Sequence, residues 1–435
     1  MLLNLRDYEA AALAALPRAV AGYFASGAGD DHTLRANEAA FTSWLLRPRV
    51  LVDVERVEAG GSLLGGATRA RFGVAPMAFQ RMAHDSGEAA VARACVDAGV
   101  PMCLSTMATM SMEEVGAVWA AAAAPAAAAP PPLWFQLYAF RDRAVTQRLV
   151  ARAERSGYAA LVLTVDRPVL GLREANERNG FELPPHLGVP NLEDGGHGPP
   201  SPGGAGAGAG AGAGQSAIAG SAYHSAEMSA ARTWEDVRWL ARATRLPLVL
   251  KGLMEPADAA AAVLAGAAAV WVSNHGGRQL DGAPAALDAL PGVVAAVRAA
   301  AAAAAGVAAR GEGRRVEVYV DGGVRRGVDV VRALALGADF VWVGRPVIWG
   351  LAVGGQAGVA GVLAALAREV AHTLALLGVR SAAAVGAGCV VHRDALARRL
   401  AADADARAAA AEEAAAAAAD AGGVEGVKAP GTDSE

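Results

Sequence analysis

The chain has 435 residues, 43 acidic against 39 basic side chains and a formal charge of −4, so it carries no electrostatic footprint for nucleic acid. Cys95, Cys103 and Cys389 have neither metal-ligand spacing nor the numbers for a disulfide framework, which implies a reduced, intracellular protein. The N-terminus shows no basic leader, and no uninterrupted run of bulky apolar residues reaches spanning length, so a soluble chain with no membrane partner is expected.

From Asp7 to Phe24 the residues Leu13, Leu16, Val20, Tyr23 and Phe24 recur at helical spacing, until Ser26-Gly27-Ala28-Gly29-Asp30-Asp31 breaks the pattern. This predicts one N-terminal helical piece. A second helix is expected from about Thr33, with Phe41, Trp44 and Leu45 to pack it. From Arg71 short apolar runs alternate with longer alanine-rich helical stretches. The runs are 72–78, 101–105, 133–138, 160–166, 247–252, 269–274, 316–321 and 340–344. Segments between them, such as 87–99 and 328–337, end in glycine as capped helices do.

Strands that alternate with helices and read as unbroken apolar runs belong to a parallel sheet covered on its outer face. A count of eight such runs points to closure, an α/β fold of the TIM (β/α)8 barrel type behind an N-terminal helical segment. Such a barrel takes ~250 residues, and the excess here lies between the fourth and fifth runs. There Pro184-Pro185, Pro199-Pro200 and the Gly-Ala alternation 203–214 offer no side chains for a core. A long, partly disordered insertion after strand 4 is expected, low in complexity over about 195–222. Alanine tracts at 120–129 and 299–305 fit helix-loop expansions. The domain plan is then helices over 1–70, the barrel over 71–381, and a disordered alanine-rich tail over 394–435.

Active sites of such barrels form at the C-terminal ends of the strands, and here each run ends in polar or small groups. In order these are Met77-Ala78-Phe79-Gln80, Ser105-Thr106, Gln136-Leu137-Tyr138, Thr164-Val165-Asp166 with Arg173 beyond it, Lys251, His275 with Arg278, Asp321-Gly322-Gly323 with Arg325, and Gly344-Arg345. His275 and Arg278 place a base beside a guanidinium, which suits a 2-hydroxy acid: a hydroxyl proton for the base and a carboxylate for the cation. Taken alone, His275 could be a hydrogen-bonded loop histidine. The pair has no electron acceptor, so a redox cofactor must be sought elsewhere in the chain.

The last two groups match the phosphate site that such barrels build after strands seven and eight at a helix N-terminus. Gly322-Gly323 would bring backbone amides to a phosphate, with charge from Arg325 and Arg345. The alternative is that these glycines only make tight turns. A lysine aimed into a barrel mouth needs an anion, an electron-rich ligand or a rim carboxylate, and Gln136 and Thr164 can hydrogen-bond a heterocycle. A phosphorylated heterocycle fits this rim. Asp166 is near enough in strand order to orient His275 and to raise its pKa from ~6.5.

These residues resemble the FMN-dependent (S)-2-hydroxy-acid oxidases and dehydrogenases, a family that includes glycolate oxidase and lactate oxidase. The likeness runs from about Asp7 to about Ser381. It is carried by Tyr23-Phe24-Ala25-Ser26-Gly27, Phe135-Gln136-Leu137-Tyr138, Leu163-Thr164-Val165-Asp166, the stretch 273–281, Asp321-Gly322-Gly323-Val324-Arg325-Arg326-Gly327 and Gly344-Arg345-Pro346. The resemblance implies an FMN cofactor, with His275 as the base that takes the substrate hydroxyl proton and Asp166 as its partner. It also implies a carboxylate clamp of Arg173 and Arg278, substrate hydrogen bonds from Tyr23 and Tyr138, and Lys251 stabilising the reduced flavin. Ala78, Ser105, Gln136, Thr164 and Ser273 match positions around the isoalloxazine ring, and Asp321, Gly323, Arg325, Gly344 and Arg345 match the ribityl and phosphate site. A homo-oligomer, tetramer or octamer, is implied by the resemblance alone.

Two pocket positions depart from the plant glycolate oxidase pattern. Met77 stands for threonine and Met107 for tryptophan; a flexible thioether in place of the indole is expected to leave more room beside the substrate α-carbon, which favours L-lactate, or both acids, over glycolate alone, the alternative being that Met107 repacks the same volume. Oxygen is the expected acceptor. Three alternatives stay open: a related dehydrogenase using a quinone or cytochrome, another phosphate-binding barrel such as a flavin-dependent isomerase, and a barrel that binds flavin without turnover. The end Thr432-Asp433-Ser434-Glu435 is not a Ser-Lys-Leu type address, which leaves peroxisome and cytosol both open.

Overall fold

The computed structural model describes residues 2–124, 129–193, 230–307 and 315–422. Eight parallel strands close into a barrel: β1 Phe72–Val74, β2 Met102–Leu104, β3 Leu133–Leu137, β4 Ala160–Thr164, β5 Leu248–Lys251, β6 Ala269–Val272, β7 Glu317–Asp321 and β8 Phe340–Val343. Each lies inside one of the apolar runs. Closure is made by β8 pairing with β1 (Val343 opposite Val74) and by β6 pairing with β7.

Helices follow the strands as the alternation requires: Gly87–Ala98, Met112–Ala123, Arg143–Arg155, Trp234–Ala243, Pro256–Leu264, Ala286–Val307, Gly327–Ala335 and Arg345–Leu377. The first ends at Gly99 in the left-handed region, the expected cap. Ala286–Val307 and Arg345–Leu377 are long and apolar enough to cross a membrane by length and composition. The second loses helical geometry at Gly354 and Gly355, and both have side chains buried in the barrel's outer core.

Three features depart from expectation. The N-terminal piece is two helices, Leu5–Ala15 and Arg18–Ala25, because Pro17 cannot continue the first and instead begins the second. The folded unit runs beyond 381: strand Val390–His392 pairs antiparallel with Trp44–Leu46, and the Trp44 ring meets His392 edge-on at 5.1 Å. Finally, the tail expected to be disordered forms a helix over Arg393–Gly422, whose described side chains are exposed except for the half-buried Leu396. Alanine has the highest intrinsic helix propensity, and lack of a core was not the deciding factor there. The Gly-Ala part of the insertion and residues 423–435 lie outside the described residues.

Candidate active site

Alternation along the strands explains why the rim is polar and the floor apolar. Cys103, Trp134, Val162, Val249, Trp271, Tyr319 and Trp342 fill the barrel interior, while Phe135, Leu161, Leu250 and Val270 face the helices. In a strand every second side chain shares a face. Two residues beyond those interior positions stand Ser105, Gln136, Thr164, Lys251, Ser273, Asp321 and Gly344. The period that buries the tryptophans therefore aims this polar set into the mouth.

Of the residues given a substrate, cofactor or catalytic role by the resemblance, all but Asp166 and Ser273 line one cavity of about 380 Å³. These two stand behind it and hold residues that do line it. Asp166 Oδ1 lies 2.9 Å from His275 Nδ1, and Ser273 Oγ accepts from the Lys251 ammonium at 2.7 Å and donates to Asp321 Oδ1 at 2.7 Å. Lys251 Nζ is also 3.0 Å from Asp321 Oδ2. A lysine in this place needed either a ligand or a rim carboxylate, and Asp321 supplies the carboxylate.

The loop bearing His275 is held in a demanding conformation. His275 has φ +60°, followed by Gly276 at +63° and Gly277 at +75°. A left-handed non-glycine residue costs ~1–2 kcal/mol, and the bond from the His275 amide to Ser273 Oγ at 3.0 Å helps to hold it. At Gly277 a Cβ would come within 2.7 Å of the Leu34 amide nitrogen, so the helix His32–Ser43 can dock only on glycine. The N-terminal segment then fastens the loop. Asp281 accepts the amides of Thr33 (2.8 Å) and Asp30 (3.0 Å), and the buried side-chain amides of Asn37 and Asn274 bond each other reciprocally at 2.9 and 2.8 Å.

Electrostatics favour a neutral base. Burial lowers the His275 pKa below 6.5, and it outweighs the opposing effect of Asp166; Lys251 and Arg173 add to the lowering. The expectation that Asp166 would raise this pKa overall is corrected, because removal from water costs the imidazolium more than one carboxylate returns. Burial also pushes the Asp166 carboxyl upward, but His275 and Lys251 together hold it below its usual value. For Lys251, burial is overcome by Asp321 and Asp166, and its pKa is raised. The pattern is a neutral imidazole on an ionised carboxylate, with a charged lysine nearby.

The arginines divide into two kinds. Burial, assisted by the neighbouring guanidinium of Arg278, brings Arg173 down to about 9; burial brings Arg278 to about 10 against the opposing effect of Tyr23. Both remain cations at neutral pH. Arg278 Nη1 donates to the carbonyls of Tyr23 (2.7 Å) and Ser26 (2.8 Å), and its guanidinium lies 4.9 Å from the Tyr23 ring centroid. Arg345 is committed to backbone: it donates to the carbonyls of Phe24 (2.8 Å), Gly276 (3.0 Å) and Ser26 (3.0 Å). It thus ties the N-terminal segment to the His275 loop, a role that its match to the phosphate site did not suggest. Arg325 pairs with Glu38 at 2.9 Å.

Two other cavity residues also hold the fold together. Asp321, matched to the ribityl site, spends both oxygens on the floor of the cavity, on Ser273, Lys251 and the Trp271 indole N–H at 3.1 Å. At Gly323 (φ +81°) a Cβ would collide with the Asn37 carbonyl, so this glycine makes room for a helix and reaches the cavity by its backbone only. Sequence reading also missed Arg167, which lines the cavity with its guanidinium 5.0 Å from the Tyr138 ring centroid, and Phe181, stacked on Tyr23 at 4.4 Å. Both sit in the loop after β4, where no periodic pattern marks which side chains turn inward.

The cavity has the donors that a flavin mononucleotide needs. At the β7–β8 end, buried Arg325 Nε has no hydrogen-bond partner among the described residues, its Glu9 neighbour being 3.9 Å away, which leaves an N–H available to a phosphate oxygen. A Cβ placed on Gly344 would meet nothing nearer than Met77 Sδ at 3.8 Å, so the helix Arg345–Leu377 begins with open space before it. Toward the centre, Gln136 Nε2 donates to Thr164 Oγ1 at 3.0 Å, and Ser105, Thr164 and Lys251 stand beside it on the cavity wall. Phosphate and ring ends are thus both provided.

Comparison with known proteins agrees with this arrangement. Residues 12–392 match the family described as FMN-dependent dehydrogenase. The chain is 46% identical to the L-lactate oxidase of Nostoc sp. over 86% of its length and 94% of that protein. It is 44% identical to glycolate oxidase 1 of Zea mays (88% and 94% covered) and 42% identical to 2-hydroxyacid oxidase 1 of Homo sapiens (87% and 94% covered). Among solved structures it is similar to mandelate oxidase bound to (S)-4-hydroxymandelic acid, with TM-score 0.75, 39% identity and coverage of 88% and 97%. The chain belongs to the FMN-dependent dehydrogenase family, as an FMN-dependent oxidoreductase of the 2-hydroxy-acid oxidase type.

Proposed function

We propose that this protein oxidises small (S)-2-hydroxy acids, L-lactate foremost and glycolate with it, to 2-oxo acids, with dioxygen as acceptor and hydrogen peroxide as second product. The observation that carries the reading is the His275–Asp166 pair opening onto a cavity that also holds Arg173 and Arg278. The names of the L-lactate and glycolate oxidases among its relatives support it.

Arg173 and Arg278 bind the substrate carboxylate and so fix the α-carbon, while Tyr23 and Tyr138 hydrogen-bond its oxygens. With Nδ1 engaged by Asp166, Nε2 is the imidazole nitrogen that takes the hydroxyl proton. Asp166 then stabilises the imidazolium, which compensates for the burial that disfavours it. FMN held in this cavity would supply the two-electron acceptor for the oxidation, with dioxygen as the terminal oxidant. Lys251 places a fixed positive charge where negative charge develops, so its effect falls on the rate more than on binding. Ser105, Gln136 and Thr164 would face the ring, and Arg325 with the backbone of Gly323 and Gly344 would hold the phosphate.

Preference for lactate rests on Met107, in the cavity wall. A flexible thioether can accommodate a methyl group beside the α-carbon. The test is oxygen uptake and peroxide release by FMN-loaded protein with L-lactate and glycolate side by side. Peroxide equal to oxygen consumed and a higher kcat/KM for L-lactate support the reading. Rapid flavin bleaching with slow recovery in air would instead favour a dehydrogenase using another acceptor. Assembly as a tetramer or octamer, proposed from resemblance, is tested by light scattering.

A further inference from the structure

Beneath the cavity the barrel holds an unusual load of electron-rich rings. Trp342 lines the cavity wall and lies 4.5 Å from Trp271, stacked at 20°, and 5.1 Å from Trp134. Tyr319 is within reach of all three, at 5.7 Å from Trp134, 6.2 Å from Trp271 and 6.3 Å from Trp342. All four are fully buried. The cluster has one end at the cavity and the other at a proton acceptor: Tyr319 Oη donates to Glu317 Oε2 at 2.8 Å, and Glu317 is only half-buried, at the N-terminal end of β7.

Space-filling alone does not account for these residue types. Phenylalanine, leucine or valine would fill a barrel interior without polar hydrogens to satisfy, yet here Trp342 Nε1 is buried with no partner among the described residues. Trp271 is tied to the reactive end, since its N–H donates to the same Asp321 carboxylate that holds Lys251. Tyr319 brings a carboxylate into a half-buried place, where burial raises the Glu317 pKa even as the phenol bond opposes the rise. Indole and phenol are the protein side chains most easily oxidised by one electron, and the flavin is the oxidant that this family provides.

We propose that Trp342, Trp271, Trp134 and Tyr319 form an electron relay that delivers a single electron from the barrel interior to the flavin. Light makes the flavin a strong one-electron oxidant. An electron leaves Trp342 for the excited flavin, an electron from Tyr319 refills the tryptophan cluster, and the phenolic proton of Tyr319 passes to Glu317 Oε2. The flavin has gained one electron, Tyr319 is a neutral radical, and Glu317 carries the proton. The relay rests on FMN occupying the cavity and not on the identity of the hydroxy acid.

The experiment follows flavin emission decay and transient absorption together after pulsed excitation of FMN-loaded protein without substrate. Wild-type protein is expected to show a short emission lifetime and a tyrosyl radical. Trp342→Phe should lengthen that lifetime severalfold. Tyr319→Phe should keep the short lifetime but lose the tyrosyl signal, and this variant carries the test if Trp342→Phe fails to fold. An unchanged lifetime in Trp342→Phe, which would make Tyr23 or Tyr138 the electron donor, overturns the relay, as does a wild-type protein without tyrosyl radical. In either case a bound, yellow flavin would leave the oxidase reading standing, whereas failure to bind FMN would overturn both.

Discussion

At the substrate end of the cavity the reactive groups are already joined, while at the phosphate end they are engaged elsewhere. His275 rests on Asp166 at 2.9 Å and Lys251 on Asp321 at 3.0 Å. Arg325 instead pairs with Glu38, and Arg345 is spent on three backbone carbonyls. Proton transfer depends on sub-ångström placement, which rewards a prebuilt pair. Phosphate binding depends on charge and open N–H groups, and it tolerates an arginine that must exchange a carboxylate for a ligand.

Substitutions should separate the two ends. His275→Gln should retain the flavin spectrum while kcat falls roughly 10²–10⁴-fold, the usual contribution of a positioned base; an unchanged kcat would remove His275 from the chemistry. Lys251→Met strands the Asp321 carboxylate in a buried place, where breaking such a pair costs ~3–5 kcal/mol. Urea unfolding should show that loss, together with a slower reaction. Arg278→Lys loses the planar fork and should raise KM for the hydroxy acid roughly 10–100-fold, from the ~1.5–3 kcal/mol of a charged hydrogen bond, with FMN binding nearly unaltered.

The pH profile sharpens the substrate side further. Because His275 titrates below 6.5 in the folded protein, kcat/KM should stay level at neutral pH and fall only on the acid side of that value, as the base becomes protonated. Stability should follow the same sign. A depressed folded pKa means that the unfolded chain takes up the proton first, so stability present above 6.5 is lost as pH falls through the folded pKa. The smallest effect belongs to the phosphate side. Glu38→Gln frees Arg325 from a partly exposed partner and should tighten FMN binding about two- to fivefold, from ~0.5–1 kcal/mol, measured by flavin titration.

The barrel was legible because its strands are apolar on both faces, so each appears as an unbroken run bounded by polar residues. The rim was legible for the same reason, since Thr164, Lys251 and Asp321 end their strands and Gln136 lies one residue from the end of its own. What the sequence did not disclose depends on contacts between distant segments. Nothing local to Arg345 says that its guanidinium will meet the carbonyls of Phe24 and Ser26, some 320 residues earlier. The Asn37–Asn274 amide pair is hidden for the same reason. The sign of the His275 shift required burial, which a motif does not state. The alanine-rich tail was expected to be disordered, but alanine's own helix preference prevailed as the helix Arg393–Gly422.

The most direct test of the account is anaerobic mixing of FMN-loaded protein with (S)-lactate and (R)-lactate, compared between wild type and His275→Gln by the loss of flavin absorbance. The account predicts rapid bleaching of the wild type by the (S) acid alone, and bleaching of the variant roughly 10²–10⁴-fold slower although its flavin is bound. A variant that bleaches at the wild-type rate, or a wild-type flavin that neither acid reduces, would contradict it.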